Sequence, residues 1–325
     1  KGAIINRLPL EFTVDRFVGQ EACRFIREHS QEQPFAMMVG FPGPHCPYDP
    51  TPEYATYDPA DMPAPIPAVP GDADILRQHN IEGNRQPWNG VDYGEFTDAH
   101  KRKIRAHYAG LVKAIDDEVG QIIAALRDNG LLDRTIIVFA SDHGDYLGDH
   151  GLMGKGHYYE SSIHVPLIVR LPDAQGGNAY DGLVALTDLT PTIMAWAGCE
   201  IPAHMDAIPL PNAGVRSAVS REYIVGQLSG GWMFDDGEWR LSKYATGEAM
   251  LFHRTEDPHE QHNLIHDPAY RAVLARLDTE LTRAMMHSVA ESFHERRVYV
   301  RDLSQDAWFG REGWQRLYPR DIQDR

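Results

Sequence analysis

Residues 98–129 carry Ile104, Tyr108, Leu111, Val112, Ile115, Val119, Ile122, Ile123 and Leu126 at spacings of three and four, the period of one helix face. Thr97 or Asp98 can cap its start, and Gly130 can take the left-handed turn that ends it. After a short loop, residues 135–140 (Thr-Ile-Ile-Val-Phe-Ala) form an apolar, β-branched run that reads as a buried strand. A long amphipathic helix followed by a buried strand is one step of an α/β sheet. Around it, residues 13–29 predict an amphipathic helix, 35–41 a central strand, 165–171 a further strand and 187–197 a short helix. Residues 42–70 are rich in proline and aspartate and predict a long loop; 71–96 predict irregular chain forming part of a lid. After residue 211 the texture changes. Short apolar pieces at 223–228, 239–244 and 250–253, split by glycine and acidic turns, predict a small antiparallel sheet, and 268–286 return to helical spacing.

The strand at 135–140 ends in Ser141-Asp142-His143-Gly144-Asp145. A carboxylate and an imidazole at the C-terminal end of a strand stand where open α/β sheets bind ligands. Asp142 offers a hard oxygen and His143 a borderline nitrogen, a set suited to Ca²⁺, Mg²⁺, Mn²⁺ or Zn²⁺ depending on the remaining ligands. In isolation such a tetrad is usually a turn aspartate beside a satisfied histidine. Lys155 follows, between two glycines, where an ammonium can reach an anionic oxygen and stabilise charge on a leaving group. His45 sits in Gly43-Pro44-His45-Cys46-Pro47-Tyr48, held between prolines just after residues 35–41. It can pass a proton to a leaving oxygen or donate a hydrogen bond to an anion. His157 is a candidate to assist Lys155 or else faces solvent; Asp145, Asp149 and His150 read as turn residues behind the ligands.

The stretch T-I-I-V-F-A-S-D-H-G-D-Y-L-G-D-H-G-L-M-G-K-G-H-Y-Y-E, residues 135–160, resembles the sulfatase family of the alkaline-phosphatase-like superfamily, which also contains phosphonate monoester hydrolases and phosphodiesterases. The likeness runs on through Ser161-Ser162-Ile163-His164-Val165-Pro166, with histidine at 164 where the family usually has arginine, and covers residues 34–52, 188–198 and 239–264. It implies an α/β fold, a mostly parallel sheet flanked by helices, with a small C-terminal antiparallel sheet plus helix. It implies that Asp142 and His143 bind a divalent cation, Ca²⁺ foremost with Mg²⁺ or Mn²⁺ as alternatives. Lys155 and His45, the latter matching the family's P-H-x-P, would contact the sulfate.

The family's nucleophile is a formylglycine made in C/S-x-[PA]-x-R. Cys23 precedes Arg24-Phe25-Ile26-Arg27, Cys199 precedes Glu200-Ile201-Pro202, and the surroundings of Cys46 do not match either. The family's opening aspartate pair is also absent. The chain therefore reads as the C-terminal two-thirds of a sulfatase, with half of its metal site and the formylglycine expected in a missing N-terminal segment. The expected activity is sulfuric ester hydrolysis of a small-molecule or carbohydrate sulfate ester. The alternatives are a phosphonate monoester hydrolase or phosphodiesterase, and a non-catalytic anion- or metal-binding subunit. Gly237–Tyr244 and the D-P-x-E segment from Asp257 resemble the family's closing subdomain; Arg240 and Lys243 read there as surface or interface cations.

The predicted organisation is a catalytic α/β domain over 1–210, an antiparallel subdomain over 211–290 and a tail over 291–325 that wraps back on the body or meets another chain. The formal charge of −16 disfavours nucleic acid as a partner. No apolar run approaches the ~20 residues of a membrane span. The chain is expected to be soluble, cytoplasmic or periplasmic, with a supplementary N-terminal segment or a second copy as its protein partner. Cys23, Cys46 and Cys199 are too few and scattered for a disulfide framework.

Overall fold

The first helix, α1 (Val14–Glu28), turns its small and apolar face, Gly19, Ala22, Cys23 and Ile26, inward. It packs against the long helix α3 (Asp98–Asp128), which opens with a capping box at Thr97 and His100. Cys23 and Ile26 meet Ala125, Leu126 and Leu131, and Phe35, Met37 and Ile137 close the cluster from the strand side. The Arg16 guanidinium donates to Glu118 at 2.6 Å, tying the two helices together. This computed structural model describes residues 2–295 except 88, 173, 175, 203, 204, 216–218 and 229, with side chains to residue 290.

The strand predicted at 135–140 forms as β1 (Ile137–Ala140), and its partner as β2 (Leu167–Arg170). They pair antiparallel, Ile137 opposite Arg170 and Ala140 opposite Leu167. Residues 35–41 do not form the predicted strand. Exposure alternates along them and Met38 is 96% exposed, yet none of the described residues offers them a backbone ladder. A strand is held by its neighbours' hydrogen bonds, so without a ladder the run stays as extended chain. Among the described residues, parallel pairing is limited to the bridge between Ala3 and Tyr48.

The segment predicted irregular at 71–96 instead contains α2 (Asp74–Arg85) and a 3₁₀ turn at Tyr93–Glu95. Polar residues mask its helical period; only Leu76 and Asn84 of α2 are buried. A four-residue helix, α4 (Glu160–Ile163), precedes β2, and α5 (Leu189–Trp196) follows it. The predicted antiparallel sheet is present with one more strand than expected: β3 (Ile224–Leu228), β4 (Gly231–Asp235), β5 (Trp239–Tyr244) and β6 (Ala249–His253), each paired with the next. Met233, Tyr244, Met250 and Phe252 of this sheet bury themselves against Ala73, Leu76, Tyr146, Leu152, Tyr158 and Tyr159. That cluster seats the sheet beneath the loop running from β1 to α4.

The chain separates into Lys1–Asp267 and Pro268–Arg325. The second unit holds a 3₁₀ turn at Pro268–Tyr270 and α6 (Arg271–Glu295), longer than the predicted helix, with Leu277 and Leu281 buried one turn apart. The predicted tail lies outside the described residues beyond the end of α6. No helix among the described residues is long and apolar enough to cross a membrane.

Candidate active site

The turn after β1 is fixed by its own polar groups. Ser141 Oγ donates to the His143 carbonyl at 2.9 Å, and Asp142 Oδ1 accepts from the His143 amide at 2.9 Å. His143 Nδ1 lies 2.8 Å from the Gly144 carbonyl. That contact assigns the proton to Nδ1 and leaves the Nε2 lone pair free. Nε2 stands 3.5 Å from Asp142 Oδ2, and the Asp142 side chain is 85% exposed. An unprotonated imidazole nitrogen beside an open carboxylate suits a divalent cation. The pair fits as part of a site: among the described residues no group of three or more His, Cys, Asp or Glu completes it.

Lys155 lies between Gly154 and Gly156, whose φ angles of 72° and 131° place them in the region that favours glycine. Its Nζ makes a close contact with His45 Nε2 across 110 positions of sequence. His45 Nδ1 lies 2.8 Å from the Cys46 carbonyl, so Nδ1 donates there and Nε2 accepts from the ammonium. Cys46 Sγ lies 3.7 Å from the same Nδ1. The rings of His45 and His143 are 6.5 Å apart between centroids. The four predicted site residues thus lie near one another: Lys155 meets His45, whose ring stands beside that of His143, the neighbour of Asp142.

The supporting residues are less exposed. Tyr48 Oη donates to Asp145 Oδ2 at 2.8 Å, and Asp145 Oδ1 accepts from the Leu147 and Gly154 amides at 2.9 and 3.0 Å. Asp145 therefore sets the reach of the Lys155 loop; burial pushes its carboxyl up, and these hydrogen bonds pull it back. Asp149 holds Arg105 and accepts from the Ile66 amide. His157 does not face solvent. It is buried between Tyr146 and Tyr244, and its Nδ1 has no hydrogen-bond partner among the described residues. His150 is buried and stacks on Tyr159 at 3.9 Å. Nothing in the local spacing of the sequence shows that Tyr48 reaches Asp145, 97 residues onward.

Burial pulls the pKa of both His150 and His157 from 6.5 down to about 4. Between pH 4 and 6.5 these two imidazoles bind fewer protons in the folded chain than in the unfolded one, whereas Glu260, pushed up to about 7 by burial, binds more. The imidazoles' share of the stability is expected to fall as pH drops through that window, by up to ~3 kcal/mol for each. Urea midpoints at pH 4.5, 5.5 and 6.5 check this, and His157→Phe should flatten the dependence; an unchanged slope would exclude His157 as a source.

The family model for Sulfatase matches residues 5–199. The chain belongs to the sulfatase family. It is 32% identical over 304 residues to the multifunctional alkaline phosphatase superfamily protein PehA of Trinickia caryophylli, covering 83% of this chain and 59% of that one. To an arylsulfatase of Clostridium perfringens it is 30% identical, covering 78% of this chain and 54% of the relative. Among solved structures, the phosphonate monoester hydrolase SpPMH from Silicibacter pomeroyi matches with a TM-score of 0.74 and 27% identity, over 86% of this chain and 61% of that one. The sulfatase-family chain thus spans somewhat over half the length of these relatives, and its mixed helices and sheets are those of the alkaline-phosphatase-like fold.

Proposed function

We propose that the protein containing this chain hydrolyses sulfate monoesters, with Asp142 and His143 holding part of a divalent-cation site and Lys155 and His45 holding the sulfate. The observation that carries this reading is the meeting of Lys155 Nζ with His45 Nε2 beside the His143 ring. A bound cation would withdraw charge from the sulfate oxygens, with Ca²⁺ the first choice for a carboxylate donor. Lys155 offers its ammonium to a non-bridging or leaving oxygen. Cleavage of the S–O bond leaves the alcohol half as an alkoxide, which needs a proton. The Lys155 ammonium, in contact with His45 Nε2, can supply it. His45 keeps its orientation because Nδ1 is engaged by the Cys46 carbonyl. The nucleophile is assigned to chain beyond these residues, in keeping with the absence of C/S-x-[PA]-x-R from the sequence. A carbohydrate or small-molecule sulfate ester is the substrate class.

A second reading is favoured by the likeness to SpPMH: hydrolysis of phosphonate monoesters at the same site. The two separate on substrate charge and geometry. With matched p-nitrophenyl leaving groups, kcat/KM is expected to be higher for the sulfate than for the phenylphosphonate monoester. The reverse ranking would move the assignment to phosphonate hydrolysis, and turnover of neither would leave anion or metal binding as the role.

A further inference from the structure

Arg240 lies on β5, far along the sequence from the site residues, and is only 3% exposed. Three carboxylates surround its guanidinium. Nε donates to Asp235 at 2.8 Å, Nη1 to Glu260 at 2.9 Å and Nη2 to Glu160 at 2.7 Å. Arg254 approaches Asp235 and Glu160 at 3.3 and 3.4 Å, and His164 Nδ1 lies 2.6 Å from Glu160. Glu260 also holds the backbone of α4, since its Oε2 accepts from the Glu160 amide at 2.8 Å. To do so Glu260 sits at φ 52°, a left-handed conformation that a glutamate rarely adopts. The loop that presents it is tied down by Asp257, which accepts from the Gln261 and His262 amides.

Glu160 is the first residue of α4, and α4 is pressed backbone-to-backbone on the cation-binding turn. The Gly144 amide donates to the Ser162 carbonyl at 2.8 Å. A Cβ on Gly144 would lie 2.1 Å from the Ser161 carbonyl oxygen. Contact therefore runs without a gap from β5 through Arg240 and Glu160 into α4, and from α4 into Gly144, the neighbour of His143. The Gly144 carbonyl in turn fixes the His143 tautomer. A buried guanidinium shared by three carboxylates is costly to desolvate and is weak evidence for stability by itself. Its placement has a different use.

Resting on the function proposed above, we infer that Arg240 and Glu260 are positioning residues for the cation site: the C-terminal sheet sets where the Asp142-His143 turn stands by gripping Glu160. Of the two expectations for Arg240, the surface cation is overturned, since it is buried and acts through a named chain of contacts. A planar fork that meets three acceptors is not reproduced by a lysine ammonium. Outer partners of metal ligands typically alter affinity 10–100-fold when removed.

The test compares Arg240→Lys, Glu160→Gln and a control, Lys243→Met, on the same strand, in the full-length protein. Ca²⁺ affinity is read by chelator competition, backbone protection by hydrogen exchange over peptides 141–147 and 158–164 in metal-free protein, and folding by urea midpoint. Arg240→Lys and Glu160→Gln are expected to weaken Ca²⁺ at least tenfold and to speed exchange at 141–147, under conditions where both remain folded. Their kcat/KM for an aryl sulfate should fall at limiting Ca²⁺ and recover in part at saturation; Lys243→Met should match wild type. Unchanged Ca²⁺ affinity and unchanged exchange at 141–147 in both folded variants, even with a lowered urea midpoint, would overturn the inference. If wild type itself bound no cation, the proposed function would fail instead, and exchange at 141–147 alone would decide the positioning role.

Discussion

Replacing Asp142 or His143 by alanine is expected to lower the turnover of an aryl sulfate by the full-length protein on the order of 10³-fold, with a parallel loss of bound cation. Asp142 supplies an open carboxylate, and His143 an Nε2 whose lone pair is kept free by the Gly144 carbonyl on Nδ1. Either change removes one of two donors that stand 3.5 Å apart. The Asp142 side chain lies at the surface of the turn and that of His143 is half-buried, so the fold should tolerate the change. Metal content by atomic emission and kcat/KM measured side by side check it. Full cation content and wild-type turnover in both variants would remove these residues from the site. The effect should also depend on the cation, with excess Ca²⁺ restoring part of the lost rate if affinity is what was damaged.

The second large effect is expected from a single methyl group. Gly144→Ala would place its Cβ 2.1 Å from the Ser161 carbonyl oxygen, and the obstacle is backbone rather than a movable side chain. The turn and α4 must then part, at a cost of about 1–3 kcal/mol in stability. Because the same amide donates to Ser162, the hydrogen bond is strained together with the packing. Misplacement by about an ångström near reacting groups can cost 10²-fold in rate, and a fall of that size is expected here. Gly120→Ala is the matching control. Gly120 lies within α3 with nothing near its missing Cβ, so alanine should raise stability by about 0.5–1 kcal/mol and leave turnover alone. Urea denaturation and kcat/KM on both variants measure the contrast; equal behaviour of the two would show that the close approach at Gly144 has no bearing on the site.

Much of the fold was legible because its signals are local. The helix at α3 announced itself through apolar spacing, a capping threonine and a terminal glycine. The strand at β1 followed from a β-branched run, and the C-terminal sheet from short apolar pieces between turns. The elements misread were those whose status depends on partners. Residues 35–41 have the composition and the alternating exposure of a strand, but hydrogen bonds from a neighbour make a strand, and no described residue supplies them. In α2 the polar surface residues outnumber the buried ones, so no periodic stripe marks the helix; it is held by contacts such as the Glu248 carboxylate accepting from the Ile75 and Leu76 amides, more than 170 residues away in sequence. β4 leaves no clear signal because its glycine and aspartate ends bracket a run of only three apolar residues, Trp232, Met233 and Phe234.

The sequence by itself determined which chemistry is available: a carboxylate and an imidazole after a buried strand, a lysine between glycines and a histidine between prolines. Residue type and local backbone preference are enough for that, because donor atoms and turns are properties of short segments. Only the tertiary structure decided which of these groups meet. It brought Lys155 onto His45 and buried His157 away from solvent. It also revealed that Arg240, read as a surface or interface cation, sits inside a ring of carboxylates that grips α4 against the turn. The pairings of Lys155 with His45 and of Arg240 with Glu260 and Glu160 join residues 20 to 110 positions apart, and the free energy that fixes them comes from burial and long-range hydrogen bonds. No local pattern encodes those terms, so they could be seen only once the chain was folded.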